Sequence, residues 1–430
     1  MSKVVIVSIE GLGTNLVGCY GGSIGPTKNW DHFACRAIVF DQFWSDTLLP
    51  IDVLESMWSG IHFATRHSNP TIGVPKSATE LFGRALLVTD SMAVIEQMTF
   101  DFFADVMFVD SRTEETSEAD SAGEADEDSE ADSAGEATTQ FTKLLEAALG
   151  RWASSLDEFP VLWIHSQGLN GQWDAPYEFR SIMCDEGDPD PPRETEPAQL
   201  KLELDTDPDE VFGMACSAGG QAIAMDEAWG MIEEILEELG IADDCLQVLA
   251  GVCGYPMGEH GWVGHGAKSL HAETLHLPLI IRPANRLELG IRVPFMVQPH
   301  SLQKTIASWL EMGFKDADSM GRGMDLVLET GALPADQWPI ENQLAYSCFE
   351  DQVHVSVPAW SCLWSTLENG SKQIELYAMP DDRWEQNEVS QRALPIVEMM
   401  TEQRNKWLSY ATKKDSILES LQSELTHPLR

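Results

Sequence analysis

Basic residues are scarce in this chain. Only 27 lysines and arginines stand against 70 aspartates and glutamates, a formal charge of −43 over 430 residues. A field of that sign repels phosphate backbones and anionic headgroups, which excludes nucleic acid and membrane surfaces as general partners. No apolar run reaches the roughly 18 residues a bilayer span requires. The opening MSKVVIVSIEGLG has one lysine and a short β-branched run broken at Glu10. It lacks the longer apolar stretch and small-residue cleavage site of a signal peptide, so the expected location is the cytoplasm. The 8 cysteines include no C-x-x-C pair and are expected to be free thiols in a reducing compartment. No G-x-S-x-G elbow and no P-loop occur. Gly11 and Gly13 do not open a G-x-G-x-x-G, whose third glycine would fall on Leu16.

What is present suffices for a large core. Hydrophobic residues make up 43% of the chain, and the length suits one large domain with an appendage or two domains. Val4–Ile9 is a continuous apolar run ending in glycines, the pattern of a fully buried strand. Pro160–His165, Leu246–Ala250 and Leu277–Ile281 read the same way. Helical signals fall at Ala78–Leu87, at Asp226–Leu239 before Gly240, and at Leu302–Leu310. Strands separated by helices predict an α/β fold with a mainly parallel sheet. Beyond about residue 340 the pattern changes. Val353–Val357 alternates, Ser361–Thr366 is placed to pair with it, and Asn369-Gly370 marks a hairpin turn before Gln373–Tyr377. A helix is expected from Leu394 to Tyr410. The expected division is an α/β domain over 1–335 and a small α+β subdomain over 340–430.

Two acidic stretches interrupt this order. SEADSAGEA occurs at 117–125 and again at 129–137, within an insertion over 113–138 that has too little apolar surface to fold. A second acidic, proline-containing loop is expected over 185–210.

Six segments, in order, resemble the sulfatase branch of the alkaline-phosphatase superfamily. VVIVSIEGLGTNLVGCYGG (4–22) is similar to that family's opening strand, and VFDQFWSDTLLP with WSGIH (39–62) to its nucleophile region. VPKSATELF (74–82) resembles its "P-x-T-x-A-x-x-L" helix, and VLWIHSQGLNGQWDAPYEF (161–179) its "H-x-x-D-P-H-x-P-Y" element. LQVLAGVCGYPMGEHGWVGHGAKSLHAETLHLPLIIR (246–282) is similar to "T-S-D-H-G…G-E-H-G-x-x-G-K…R-V-P-L-I-I-R". IELYAMPDDRWEQNEVS (374–390) is similar to the C-terminal "E-L-Y-D-L-x-x-D-P-x-E-x-x-N" hairpin.

The resemblance implies an α/β/α sandwich with a central, mainly parallel mixed sheet and a small C-terminal antiparallel sheet plus helix. In the family a calcium ion is held by carboxylates from the first strand and a late strand, a formylglycine made from cysteine is the nucleophile, and basic residues hold the sulfate oxygens. Carried over residue by residue, the first metal carboxylate falls on Glu10 and the second on Gly11. The following arginine falls on Gly13. The nucleophile falls near Leu48, with Thr47 or Asp46 as alternatives, and the arginine after it near Asp52. No cysteine lies between Cys35 and Cys184, so formylglycine is excluded there. The family's histidine of "P-H-x-P-Y" becomes Asn170, its late Asp-His pair becomes Val252 and Cys253, and its late lysine becomes His265.

Calcium takes six to eight oxygen ligands, mostly carboxylates. One carboxylate, a glycine, a valine and a thiol do not meet that demand, so the expectation is a catalytically degenerate sulfatase-like protein that binds a ligand or a protein partner and needs no cofactor. The alternative is an active sulfuric- or phosphoric-ester hydrolase or transferase with a rearranged site. It would hold one divalent cation, calcium or magnesium, at Glu10, with Thr47 as nucleophile and Asn170 and His265 as oxyanion donors. Its ligand would be a small anionic ester. His260, His265, His271 and His276 cluster in sequence and could hold a transition metal, but their spacing fits neither a helical zinc site nor a finger. The GEHG element makes a framework role for His260 the expected one.

Overall fold

The run KVVIVSI forms strand β1 (Lys3–Ile9), buried along its whole length, because a strand covered by helices on both faces has no solvent side to alternate toward. The computed structural model describes residues 2–98, 103–110, 138–193, 196–283, 290–310, 343–367, 369–412 and 421–427. The acidic repeat at 117–137 lies outside them.

The strands that follow are β2 (Ile38–Trp44), β3 (Ala85–Thr89), β4 (Asp105–Phe108), β5 (Val161–Ser166), β6 (Gln199–Lys201), β7 (Cys245–Gly251), β8 (Trp262–Gly264), β9 (His276–Leu277), β10 (Leu279–Arg282) and β11 (Ile291–Val297). The large sheet runs β11-β2-β10-β7-β1-β5-β3-β4, with β9 paired to β2. β1 is parallel to both neighbours, and Ile9 is level with Ser166 of β5 and Gly251 of β7. This register delivers Glu10, Gln167 and Val252 to one edge. β10 is antiparallel to both β7 and β2, so the sheet is mixed.

Side chains alternate between two cores. Val5, Val7 and Ile9 pack with Leu144, Leu145 and Trp229 of the helices Gln140–Ala153 and Pro208–Glu238. Val4 and Ile6 pack with Leu54, Trp58 and Ile306 of the helices Pro50–Ser59 and Ser301–Trp309. Each such aliphatic side chain contributes roughly 1.5–3 kcal/mol on burial. The result is the expected sandwich.

Three local expectations are corrected. The segment expected to be helical over 78–87 is a helix only at Lys76–Phe82; Gly83 caps it and the β-branched ALLVT continues as β3. The helix expected from Asp226 begins at Pro208, capped by the Asp207 side chain. The acidic stretch at 185–210 is not all loop, since β6 lies within it and pairs antiparallel with β8.

The C-terminal residues form β12 (Ala345–Phe349), β13 (Gln352–Val357), β14 (Trp360–Thr366) and β15 (Lys372–Ala378), antiparallel in that order. Gly370, at φ +79°, takes the left-handed turn position that β-carbons disfavour. The helix Leu394–Ala411 closes this subdomain, with Trp407 stacked on Tyr346 at 4.1 Å. Among the described residues no helix is long and apolar enough to cross a membrane.

Candidate functional site

Loops after parallel strands gather at their C-terminal edge, where α/β sheets place ligands. Glu10 follows β1 there and is buried. Its Oε1 lies 3.2 Å from His165 Nε2, and its Oε2 accepts a 3.0 Å hydrogen bond from Asn170 Nδ2. His165 Nδ1 in turn lies 3.2 Å from Ser8 Oγ. Glutamate, imidazole and hydroxyl thus form a chain with the composition of a hydrolase triad. It has no nucleophile function, because Ser8 is fully buried inside the sheet and its oxygen accepts the Trp163 indole N–H at 2.8 Å. A nucleophile must reach a reacting atom.

The late-strand positions complete the edge. Val252 is a buried aliphatic side chain. Cys253 Sγ accepts from Gly11 N at 3.2 Å and from Asn170 Nδ2 at 3.4 Å. Burial and the neighbouring Glu10 carboxylate push the thiol up to about 12, so it stays protonated. One amide nitrogen of Asn170 therefore serves both Glu10 and Cys253.

The donor set here is one carboxylate, one neutral thiol and one amide, whose nitrogen bonds Glu10 and Cys253 and whose buried oxygen has no hydrogen-bond partner. It does not fit a hard divalent cation, which needs several oxygen donors. Among the described residues, one group of three His, Cys, Asp or Glu side chains is close enough to hold a metal ion, His260, His271 and Glu273, whose ligand atoms lie within 4.8 Å of one another; it does not include Glu10.

The other sequence candidates sit elsewhere. Thr47 is fully buried, and its hydroxyl oxygen has no hydrogen-bond partner. Beside it, the Asp46 carboxylate accepts from Ser56 Oγ at 2.7 Å and Phe63 N at 2.8 Å, and burial raises its pKa. Arg66 supplies the guanidinium of this region but is held by Glu55 at 2.6 Å and by Ser56 Oγ at 3.0 Å. It is neutralised, not poised for an anion. His265 follows β8 in the two-stranded β6–β8 sheet, with Nδ1 3.1 Å from the Ala198 carbonyl oxygen. The structure joins Glu10, Asn170 and Cys253 directly; the Thr47 hydroxyl is unpartnered, and His265 pairs with the Ala198 carbonyl.

Two residues escaped the sequence reading. His165 looked like the last residue of an apolar strand, and no local signal marks it. Asp90 follows β3 and accepts from Gln167 N at 2.8 Å and Ser166 Oγ at 3.0 Å. Burial raises it to about 6, against the pull of those donors. It lines a small polar cavity with Gln140, Ser166, Gln167 and Gln221.

The histidines clustered in sequence separate in space. His276 stacks on Trp44 and lies 2.8 Å from the Asp41 carbonyl oxygen. His260 and His271 stay together with Glu273, but their rings are stacked at 3.6 Å and 5°. A metal must lie near the plane of each imidazole that binds it, and two parallel planes at that separation do not converge on one ion. All four ring nitrogens also have protein partners: Glu273 and the Glu385 carbonyl for His260, Ser269 and Glu375 for His271.

No family model and no curated protein matches this chain. Solved structures do. A protein determined in complex with its substrate D-glucosamine-2-N,6-O-disulfate has a TM-score of 0.70 at 14% identity, over 96% of this chain and 99% of that one. The phosphonate monoester hydrolase of Agrobacterium radiobacter gives 0.68 at 14% identity over 96% of each chain. A 2-O GAG sulfatase gives 0.66 at 13% identity over 98% of this chain and 95% of its own. Agreement from end to end at such low identity is agreement of architecture: the chain shares the fold of these solved structures, a phosphonate monoester hydrolase and a 2-O GAG sulfatase among them.

Proposed function

We propose that this chain is a sulfatase-fold protein that has lost ester hydrolysis and acts by binding, its partner being a small anionic ester or another protein. The observation that carries this reading is the Asn170 amide. Its nitrogen donates to Glu10 and Cys253 together, so a neutral donor bridges the first and late strands where the resemblance implies a cation. Glu10 is thereby satisfied without a metal.

The rest of the edge supports the same conclusion. Gly13 and Asp52 stand at positions where the resemblance implies arginines. Removing one transition-state donor costs about 3 kcal/mol, so two such losses cost on the order of 10⁴ in rate before the missing nucleophile is counted. Thr47 is fully buried, and Cys253 is held neutral. The reading includes a cytoplasmic setting, which the eight unpaired thiols support.

Metal analysis of the purified protein, together with assays on aryl sulfate, aryl phosphate and aryl phosphonate esters, tests this. No stoichiometric metal and no turnover with calcium, magnesium, manganese or zinc is the expected result. Metal-dependent turnover that Glu10→Gln removes would overturn it.

A further inference from the structure

Three histidines and three glutamates interlock where the C-terminal sheet meets residues 260–276. His260 lies after β7, and His271 and Glu273 lie at the start of the helix Ala272–Leu275. His354 is on β13, Glu375 on β15, and Glu385 in the turn that follows. His260 Nδ1 is 2.7 Å from Glu273 Oε1, and its Nε2 is 2.8 Å from the Glu385 carbonyl oxygen. His271 Nε2 is 3.0 Å from Glu375 Oε2, and His354 Nε2 is 3.0 Å from Glu385 Oε1. The other Glu385 oxygen accepts from Ala272 N at 2.8 Å, and the Ser361 hydroxyl also donates to this carboxylate.

His260 differs from the other two in what faces it. A carbonyl and a carboxylate can only accept, so both of its nitrogens need a proton and the geometry calls for the imidazolium. His271 faces Glu375 on one side and the Ser269 hydroxyl, which can donate, on the other. His354 has no partner at Nδ1.

We propose that this cluster is a pH-gated latch: protonated His260 clamps residues 260–276 to the C-terminal sheet, and neutral His260 lets them part. The consequence reaches the edge described above, because the Thr274 carbonyl accepts from Gly254 N at 3.0 Å, next to Cys253. Burial opposes the charge on His260, but Glu273 and Glu385 outweigh it and push the group up to about 9. A raised pKa stabilises the folded arrangement fully below the ordinary value near 6.5, and that stability is lost as pH rises through about 9.

His276, Cys362, Tyr377 and Glu385 keep their charge state in that window. Burial holds His276 down at about 4, and it raises the Cys362 thiol and, helped by Glu375, the Tyr377 phenol. Glu385, despite its burial, is held at about 2 by His354 and His271. Glu375 is lowered below the usual range by His271 and Tyr377 against the effect of burial, whereas burial raises Glu259 beside His260. Arg383 and Glu388 face the cluster from the turn after β15.

Hydrogen exchange of the full chain, read by mass spectrometry and corrected for intrinsic rates, tests the latch. Between pH 6.5 and 9.5, peptides covering 271–277 and 372–378 are expected to lose protection about tenfold, while those covering 3–9 and 161–166 keep theirs. Glu273→Gln should move that loss toward neutral pH. A uniform loss, no loss, or an unshifted profile in the variant would overturn the proposal. NMR titration of His260 gives a second readout that does not depend on the variant folding: a midpoint near 9 supports the latch, and one at or below 6.5 refutes it. Neither readout involves hydrolysis, so the latch stands or fails separately from the proposed function.

Discussion

Around Glu10, one carboxylate meets an imidazole, an amide and a neutral thiol; between residues 260 and 385, three carboxylates meet three imidazoles. The first region is where a hydrolase of this fold needs concentrated charge, and it is nearly without it. The second region has no part in the expected chemistry, yet it holds the densest ion pairing described. Ion pairs in this chain are concentrated where the C-terminal sheet meets residues 260–276 and are sparser around Glu10. The structural ion pairs and the polar groups at the strand ends are thus carried by different residues, so the two regions can be altered separately.

Substitutions in the two regions should differ in size. The largest effect is expected at Glu385, whose loss leaves His354, Ser361 and the Ala272 N–H without their acceptor. Removing one partner of a buried pair costs about 3–5 kcal/mol, so Glu385→Ala should shift the urea midpoint strongly. Glu10→Gln should cost only about 1 kcal/mol, because an amide can still bond to Asn170 and His165. Equal shifts for the two variants would erase the contrast between the regions. The smallest effect is expected at Cys253, where Cys253→Ser should leave stability within about 1 kcal/mol. Alkylation sharpens this last point. At pH 8 exposed Cys35 should react first and Cys253 last, since its thiol is buried and lies near 12. Early modification of Cys253 would place a reactive thiolate in the Glu10 region.

The large sheet was legible because β1, β5 and β7 are apolar throughout, the signature of strands covered on both faces. The first half of the helix Pro208–Glu238 was not, because GMACSAGGQAIA offers no stripe of large apolar residues. Its glycines serve close contact: a β-carbon at Gly219 would lie 2.1 Å from the Ile24 carbonyl oxygen. At the site, Glu10, Asn170 and Cys253 could be named through the family resemblance, residue by residue, and the structure joins them by hydrogen bonds. That Asn170 bonds to both of the others could not be read, since pairing across |i−j| of 160 and 83 leaves no local pattern. The triad-like chain through His165 was hidden for the same reason. The latch was foreshadowed only by the GEHG element, which marked His260 as framework without revealing its three glutamates.

Calorimetric titration of calcium, magnesium, manganese and zinc into the purified chain tests the central claim most directly. The account predicts no saturable binding below about 1 mM that depends on Glu10, because one carboxylate already bonded to an amide is too few donors for a hard cation. Saturable, stoichiometric binding that disappears in Glu10→Gln would contradict it.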